Sequence, residues 1–235
     1  MKGVVTMRKE AVLFSVLVSV GVTCAAPVID QVSFTQDADT KMVTVTYRLT
    51  GDPAVVTMDV ETNGVSAGGR ATWHAFGDVS RRVEPDAVAA KTIFWQPMKD
   101  MPNWSGAAGD LGVTLKAWAT NAPPDYMVVD LDIVQTNAVR YYVSAEAVPG
   151  GVTNDIYKTQ KLLMRKIPAA EVTWCMGRNA SEEDWSYSDP SLADAELGHL
   201  VTLSTDYYIG VYEFTQKQWA ILTDGIWPSP FKGDA

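Results

Sequence analysis

Residues 42–60 read MVTVTYRLTGDPAVVTMDV and decide the fold class of the first half of the chain. In the first part of this stretch, one face carries Val43, Val45, Tyr47 and Leu49, and the other carries Thr44, Thr46 and Arg48. The second part repeats the alternation, with Val56, Met58 and Val60 on one face and Thr57 and Asp59 opposite. Gly51-Asp52-Pro53 separates the two parts with turn residues. A period of two predicts two half-buried β-strands joined by a turn.

Further short strand-like runs flank this pair, at residues 28–35, 92–95, 113–120 and 127–133. Asn63-Gly64 is a strong turn dipeptide, and no useful length of the region shows a helical period. Short strands separated by turn residues are typical of antiparallel sandwiches. The fold class is therefore predicted as mainly β, with a β-sandwich of the immunoglobulin or fibronectin type III kind over residues 26–133.

Composition excludes several classes of protein. The chain has 235 residues, of which 47% are hydrophobic and 20% charged, so it is neither a disordered polyelectrolyte nor a coiled-coil rod. Its formal net charge of -9 argues against a nucleic-acid partner, because such partners are held by neutralisation of phosphates. Two cysteines cannot form a four-cysteine zinc site. The length fits one or two domains.

The first 25 residues are typical of a secretory signal peptide. Basic residues Lys2, Arg8 and Lys9 precede an apolar run over 11–22, and small residues follow it over 23–26. The run is short for a membrane span. Cleavage after Ala25 leaves a secreted, periplasmic or cell-surface protein with no stable membrane anchor. Alternatives are cleavage after Ala26, a start at Met7, an uncleaved N-terminal anchor, and a lipid-modified Cys24.

Four tryptophans in the first region allow two interpretations. They are Trp73, Trp95, Trp104 and Trp118. Exposed indole rings stack on sugar faces, which would indicate carbohydrate binding. Large aromatic residues also fill sandwich cores, and we expect at least two of the four to do so.

Three polar features suggest metal binding and have simpler explanations. Asp37 and Asp39 could hold calcium but are typical of a solvated turn. His74 has no second histidine or cysteine nearby and is expected to be structural. An acidic run could also hold calcium, although such runs are usually solvated insertions; it comprises Glu182, Glu183, Asp184, Asp189, Asp194 and Glu196.

Residues 134–160 are interpreted as a linker with some local β structure, and the sequence changes character from Lys161 onward. An ordered set of short motifs follows: Ile167-Pro168-Ala169, Met176-Gly177, Glu196, His199, Val201, Leu203, Tyr208 to Glu213, Thr215, Gln218-Trp219, and Pro228-Ser229-x-Phe231-x-Gly233. Thr215 and Gln218 have capping-box spacing and predict the start of a helix. We expect Trp219 and Leu222 on the inner face of that helix.

This set resembles the opening of the formylglycine-generating enzyme family, also called the sulfatase-modifying factor domain. The match covers about 70 residues, so residues 161–235 are predicted as the truncated start of such a domain. Departures from the family pattern are Ala170, Cys175, Gly198 and Phe214. The resemblance implies an incomplete C-type-lectin-like α+β domain after the sandwich. A stretch of ~70 residues without disulfides supports only a marginal core.

The resemblance also implies a chemistry for a full-length parent: oxidation of a substrate cysteine to formylglycine, on a sulfatase-like protein substrate. Copper held by two cysteines, or nonheme iron held by histidines and a carboxylate, serves that family. None of these ligand motifs occurs in this chain, so no catalytic, cofactor-binding or metal residue is assigned and its status as an enzyme stays open.

Two expectations complete the sequence-based interpretation. Cys175 lies in a strand-like run before Met-Gly, and we expect a buried or half-buried structural thiol rather than a nucleophile or a copper ligand. The alternative function is a non-enzymatic extracellular binding or adhesion protein, which uses the sandwich and a lectin-like scaffold to hold an extracellular ligand.

Overall fold

The computed structural model describes residues 25–104, 110–132, 138–177 and 198–228. Strands form 45% and helices 12% of the structure, which confirms a mainly β protein with antiparallel sheets. The strands are β1 Val28–Gln36, β2 Val43–Thr50, β3 Ala54–Thr62, β4 Val65–Ser66, β5 Ala75–Gly77, β6 Arg81–Val83, β7 Lys91–Trp95, β8 Leu111–Ala119, β9 Tyr126–Asp130, β10 Val139–Tyr142, β11 Lys161–Ile167, β12 Thr173–Met176, β13 His199–Thr202 and β14 Tyr207–Gly210. The helices are α1 Pro97–Asp100, α2 Ile156–Thr159 and α3 Gln216–Leu222, with a 3₁₀ turn at Gly69–Thr72.

Two sheets share the main core of the protein. The first has the strand order β1-β2-β7-β5. In the second, β3 pairs along its whole length with β8, while its opposite edge pairs with β4 at one end and β6 at the other. The core cluster draws on both sheets and contains Val43, Val45, Tyr47, Leu49, Ala54, Val56, Met58, Val60, Ala71, Val79, Val83, Ile93, Trp95 and Leu111. The alternation read from residues 42–60 thus marks the side chains that this core buries.

A third sheet has the order β10-β9-β11-β14 and a smaller core of its own. Val128, Val148, Tyr157 and Leu163 form that core, so residues of the predicted sandwich, linker and second segment meet in it. The domain boundaries at 133/134 and 160/161 stay a prediction. Strand β9, before the first boundary, pairs with β10 after that boundary and with β11 after the second. Strands β12 and β13 form a separate two-stranded sheet.

Residues 139–147 connect the third sheet to the first two. The Tyr141 amide donates a hydrogen bond to the Ser80 carbonyl at 2.7 Å. The Arg140 guanidinium donates to the Val79 carbonyl at 3.1 Å. Burial lowers the pKa of Arg140 from its ordinary value. These bonds hold β10 beside β6.

Of the helices in the described residues, none is long and apolar enough to cross a membrane. The predicted signal segment lies almost wholly outside the described residues, as does the acidic run over 182–196.

Candidate functional site

Several of the described motif residues of the second segment make packing or hydrogen-bond contacts with other parts of the chain. Ala169 is fully buried, and its amide donates to Asp206 Oδ1 at 3.0 Å. The Tyr208 hydroxyl donates to the Pro124 carbonyl, and the Tyr212 hydroxyl donates to the Val152 carbonyl at 2.8 Å. These contacts attach β14 and the segment after it to the earlier parts of the chain.

The predicted capping box at the start of α3 is confirmed. The Gln218 amide donates to Thr215 Oγ1, and the Thr215 amide donates to Gln218 Oε1 at 2.9 Å. Gln218 is only 1% exposed, and its Nε2 donates to the carbonyls of Tyr157 at 3.1 Å and Lys161 at 2.8 Å. This polar side chain therefore ties α3 to α2 and to the first residue of β11.

The expected inner face of α3 was wrong. Trp219 is 43% exposed and Leu222 is 56% exposed, whereas Gln218 and Ala220 are buried. The side of α3 that faces α2 must satisfy two backbone carbonyls, and Gln218 supplies both donors there. Trp219 instead packs edge-on against Phe214, with ring centroids 6.4 Å apart.

The expectation for Cys175 was also wrong, because the thiol is free and exposed. Cys175 lies on β12 and pairs in register with Leu200 of β13. That sheet contains two strands, and Leu200 is itself 77% exposed, so no apolar layer of the described residues covers this position. Across the described residues, no group of three His, Cys, Asp or Glu side chains is placed to hold a metal ion. The described side chains therefore do not fit a copper or iron site.

The suspected metal residues of the first region have other partners. Asp37 Oδ1 accepts hydrogen bonds from the Thr40 amide at 2.7 Å and hydroxyl at 2.8 Å, and these bonds hold the pKa of Asp37 below its ordinary value. His74 Nδ1 lies 2.6 Å from Asp100 Oδ1. The Asp100 carboxylate is nearly inaccessible and also accepts from the Trp95 indole at 2.9 Å. These contacts make His74 part of an anchor for α1.

The tryptophans divide between the core and the surface. Trp95 is completely buried, and Trp104 packs against the same core. The Trp73 indole donates to the Glu146 carbonyl at 2.9 Å. The Trp118 indole donates to Thr57 Oγ1 at 2.8 Å, and Lys116 Nζ lies 3.6 Å from the centre of its ring. Trp73 and Trp118 therefore act outside the core, where each indole forms a hydrogen bond with another segment of the chain.

A groove of about 470 Å³ lies where residues 141–147 pack on the second sheet. Its floor is formed by outward side chains of β3 and β8, including Thr57, Asp59, Thr114 and Lys116. One wall comes from the segment between β4 and the 3₁₀ turn, and the other from residues 141–147, which include Glu146. Its volume falls in the range of small-molecule sites.

Close backbone contact holds the two walls of the groove together. A Cβ on Gly69 would lie 2.5 Å from the Ala147 amide nitrogen, so only glycine permits this approach. The Trp73 bond to the Glu146 carbonyl lies at the same junction. Burial raises the pKa of Tyr142, which also lines the groove, to about 12. Its phenol is therefore neutral at physiological pH.

The groove also contains hydrogen-bonding capacity that the described protein does not use. Asp59 Oδ1 accepts from Ser66 Oγ and from the Val60 amide, both at 2.9 Å, which leaves Oδ2 open. The Glu146 carboxylate and Lys116 Nζ form no hydrogen bond or ion pair with any described residue. Both acceptors and a donor are thus available to a ligand.

Sequence reasoning did not identify this groove. The polar positions of the alternating strands indicate an outward polar face, so Thr57 and Asp59 carried a usable signal. The wall formed by residues 141–147 left no such signal, since it depends on long-range docking.

Comparison of the chain with protein-family models, curated proteins and solved structures found no match.

Proposed function

We propose that this chain belongs to an exported protein of the formylglycine-generating enzyme superfamily and carries the opening of its characteristic domain. The observation that carries the proposal is the ordered motif set from Ile167 to Gly233. Its described members serve to position β11, β14 and α3, a role suited to the scaffold of a larger domain. Copper or nonheme iron, and a sulfatase-like protein substrate, belong to the parent protein in this proposal.

The finer fold assignments are part of the same proposal. A single core shared by sheets β1-β2-β7-β5 and β8-β3-β4 supports an immunoglobulin-like or fibronectin type III-like sandwich. A lectin-like α+β domain would then begin in the region of β11 and continue through α3. Export rests on the composition of residues 1–25.

The test combines sequencing of the gene beyond the codon for Ala235 with an oxidation assay. We expect the reading frame beyond Ala235 to encode further domain with metal ligands. Residues 26–235 alone, incubated with oxygen, copper or iron and a cysteine peptide from a sulfatase, should form no formylglycine by mass spectrometry. A downstream sequence without any such domain would refute the enzyme assignment. Formylglycine formed by residues 26–235 would refute the proposal that this chain carries only the opening of the domain, without its catalytic residues.

A second function is an extracellular binding or adhesion protein without catalysis. The groove beside β3 and β8 favours it, because its unused acceptors and donor are available to a ligand. The test is to screen immobilised residues 26–235 against glycan and extracellular-protein arrays. Binding that a groove substitution abolishes would support this function, and no binding on either array would contradict it.

A further inference from the structure

We propose that the groove between the second sheet and residues 141–147 binds a short neutral oligosaccharide. This inference rests on the binding function proposed above and does not depend on the family assignment. Three features of the groove support the inference: the hydroxyl groups in its lining, the charged side chains that can still bond to a ligand, and the aromatic ring beside its floor.

Hydroxyl groups dominate the polar lining. They belong to Thr57, Ser66, Thr72, Ser80, Thr114 and Ser144. The hydroxyls of Ser66, Thr72 and Thr114 donate to Asp59, to the Gly69 carbonyl and to Glu61, and their oxygens can still accept a hydrogen bond from a ligand. A lining rich in hydroxyl oxygens matches a ligand that is itself rich in hydroxyls. The volume of about 470 Å³ suits a small ligand rather than a folded protein surface.

The charged groups of the groove favour a neutral, hydroxyl-rich ligand. Asp59 Oδ2 and the Glu146 carboxylate are open acceptors, while Lys116 Nζ is an open donor. Ligand hydroxyls can donate to the two carboxylates and accept from the ammonium group, and bonds to charged groups are the stronger ones. A polyanionic ligand would meet two carboxylates for one lysine, so like charges disfavour it.

An indole ring adjoins the floor of the groove. Trp118 is partly exposed and is held by its bond to Thr57, one of the floor residues. Lys116, the other neighbour of the ring, lies over one face at 3.6 Å. Lysine has a flexible stem, so it can move aside while the bond to Thr57 keeps the ring in place. Trp118 is not itself a lining residue, but its ring contacts two residues of the floor, and an aromatic face at this end of the groove suits the apolar face of a sugar ring.

The experiment uses residues 26–235 and begins with an array of short cello-, xylo-, manno- and malto-oligosaccharides. The best binder is then titrated by calorimetry against Glu146→Ala and Asp59→Asn. Each substitution removes a charged acceptor and should weaken binding about tenfold or more. The matched control is Glu213→Ala, an exposed glutamate that does not line the groove and should leave the affinity unchanged. Circular dichroism and thermal unfolding verify that each variant is folded.

Several outcomes would overturn the assignment. These are the absence of binding to any neutral oligosaccharide, equal affinity in the wild type and both groove variants, and an equal loss in Glu213→Ala. If the chain instead binds a peptide or an acidic glycan and the groove variants release it, the sugar assignment fails while the binding function stands. Failure to bind any ligand at all would remove both.

Discussion

Replacing Gln218 by alanine should destabilise the third sheet and α3 strongly. The side chain is 1% exposed and forms three hydrogen bonds with backbone groups, namely the Thr215 amide and the carbonyls of Tyr157 and Lys161. At about 1 kcal/mol net for each bond, the expected loss in the free energy of unfolding is about 3 kcal/mol. Urea denaturation followed by far-ultraviolet circular dichroism measures this loss.

Two further variants make the reasoning about Gln218 specific. Gln216→Ala removes an exposed glutamine from the same helix and should change the free energy of unfolding by less than about 0.5 kcal/mol. Gln218→Glu keeps the size but aims a carboxylate at the carbonyls of Tyr157 and Lys161. Acidification should partly restore its stability, because a protonated carboxyl can again donate a hydrogen bond.

Hydrogen exchange measured by mass spectrometry locates the effect. Amides of α3 and β11 should exchange faster in Gln218→Ala, while those of β2 and β3 should not change, since they belong to a separate core. The reasoning would be refuted if Gln218→Ala were as stable as Gln216→Ala, or if Gln218→Glu gained no stability on acidification.

Three other predictions concern single positions. Thr215→Ala should cost about 1 kcal/mol of unfolding free energy in thermal or urea denaturation, while Thr215→Ser, which keeps the capping hydroxyl, should cost much less. Gly210→Ala places a Cβ 2.8 Å from the Tyr212 carbonyl oxygen and should cost about 1–3 kcal/mol by urea denaturation; a wild-type midpoint would contradict the close approach. Burial raises the pKa of Tyr47 in the folded protein above its value of about 10 in the unfolded chain. The stability that Tyr47 contributes is therefore fully present below about pH 10 and should fall as the pH rises further, by about 1.4 kcal/mol per pH unit. Alkaline denaturation measures this slope, and an unchanged slope in Tyr47→Phe would show that Tyr47 is not its source.

The main core was predictable because its strands report burial directly. In β2 every second residue is buried, and the sequence alternates in the same way. An alternating strand shows which of its faces is apolar, but it does not show which strand it pairs with. For this reason β9 was predicted as part of the sandwich, although its partners are β10 and β11. Pairing depends on contacts between distant residues, which a local pattern does not contain.

The errors in the second segment have a related cause. Hydrophobic periodicity assumes that apolar residues are the ones buried, so it assigned Trp219 to the inner face of α3. Gln218 occupies that place because backbone carbonyls of Tyr157 and Lys161 need donors. Cys175 was expected to be covered because it lies in a strand-like run, but a strand in a two-stranded sheet need not be covered by another layer. The groove was not predicted because one of its walls docks from elsewhere in the chain.

The bond between the Tyr208 hydroxyl and the Pro124 carbonyl has a consequence for synthesis of the protein. The two residues are 84 positions apart in the chain. At about 5–20 residues per second, the ribosome adds that length in roughly 4–17 s. During this interval β9 has been made while β14, the far edge of its sheet, has not. The first two sheets are complete by Ala119 and can form in that time, and β10 and β11 are also made during it and can pair with β9. The edge of β11 that pairs with β14 therefore stays unpaired beside folded neighbours until residues 207–210 are made. We expect a chaperone that acts on this protein to bind the unpaired strand edge during this interval.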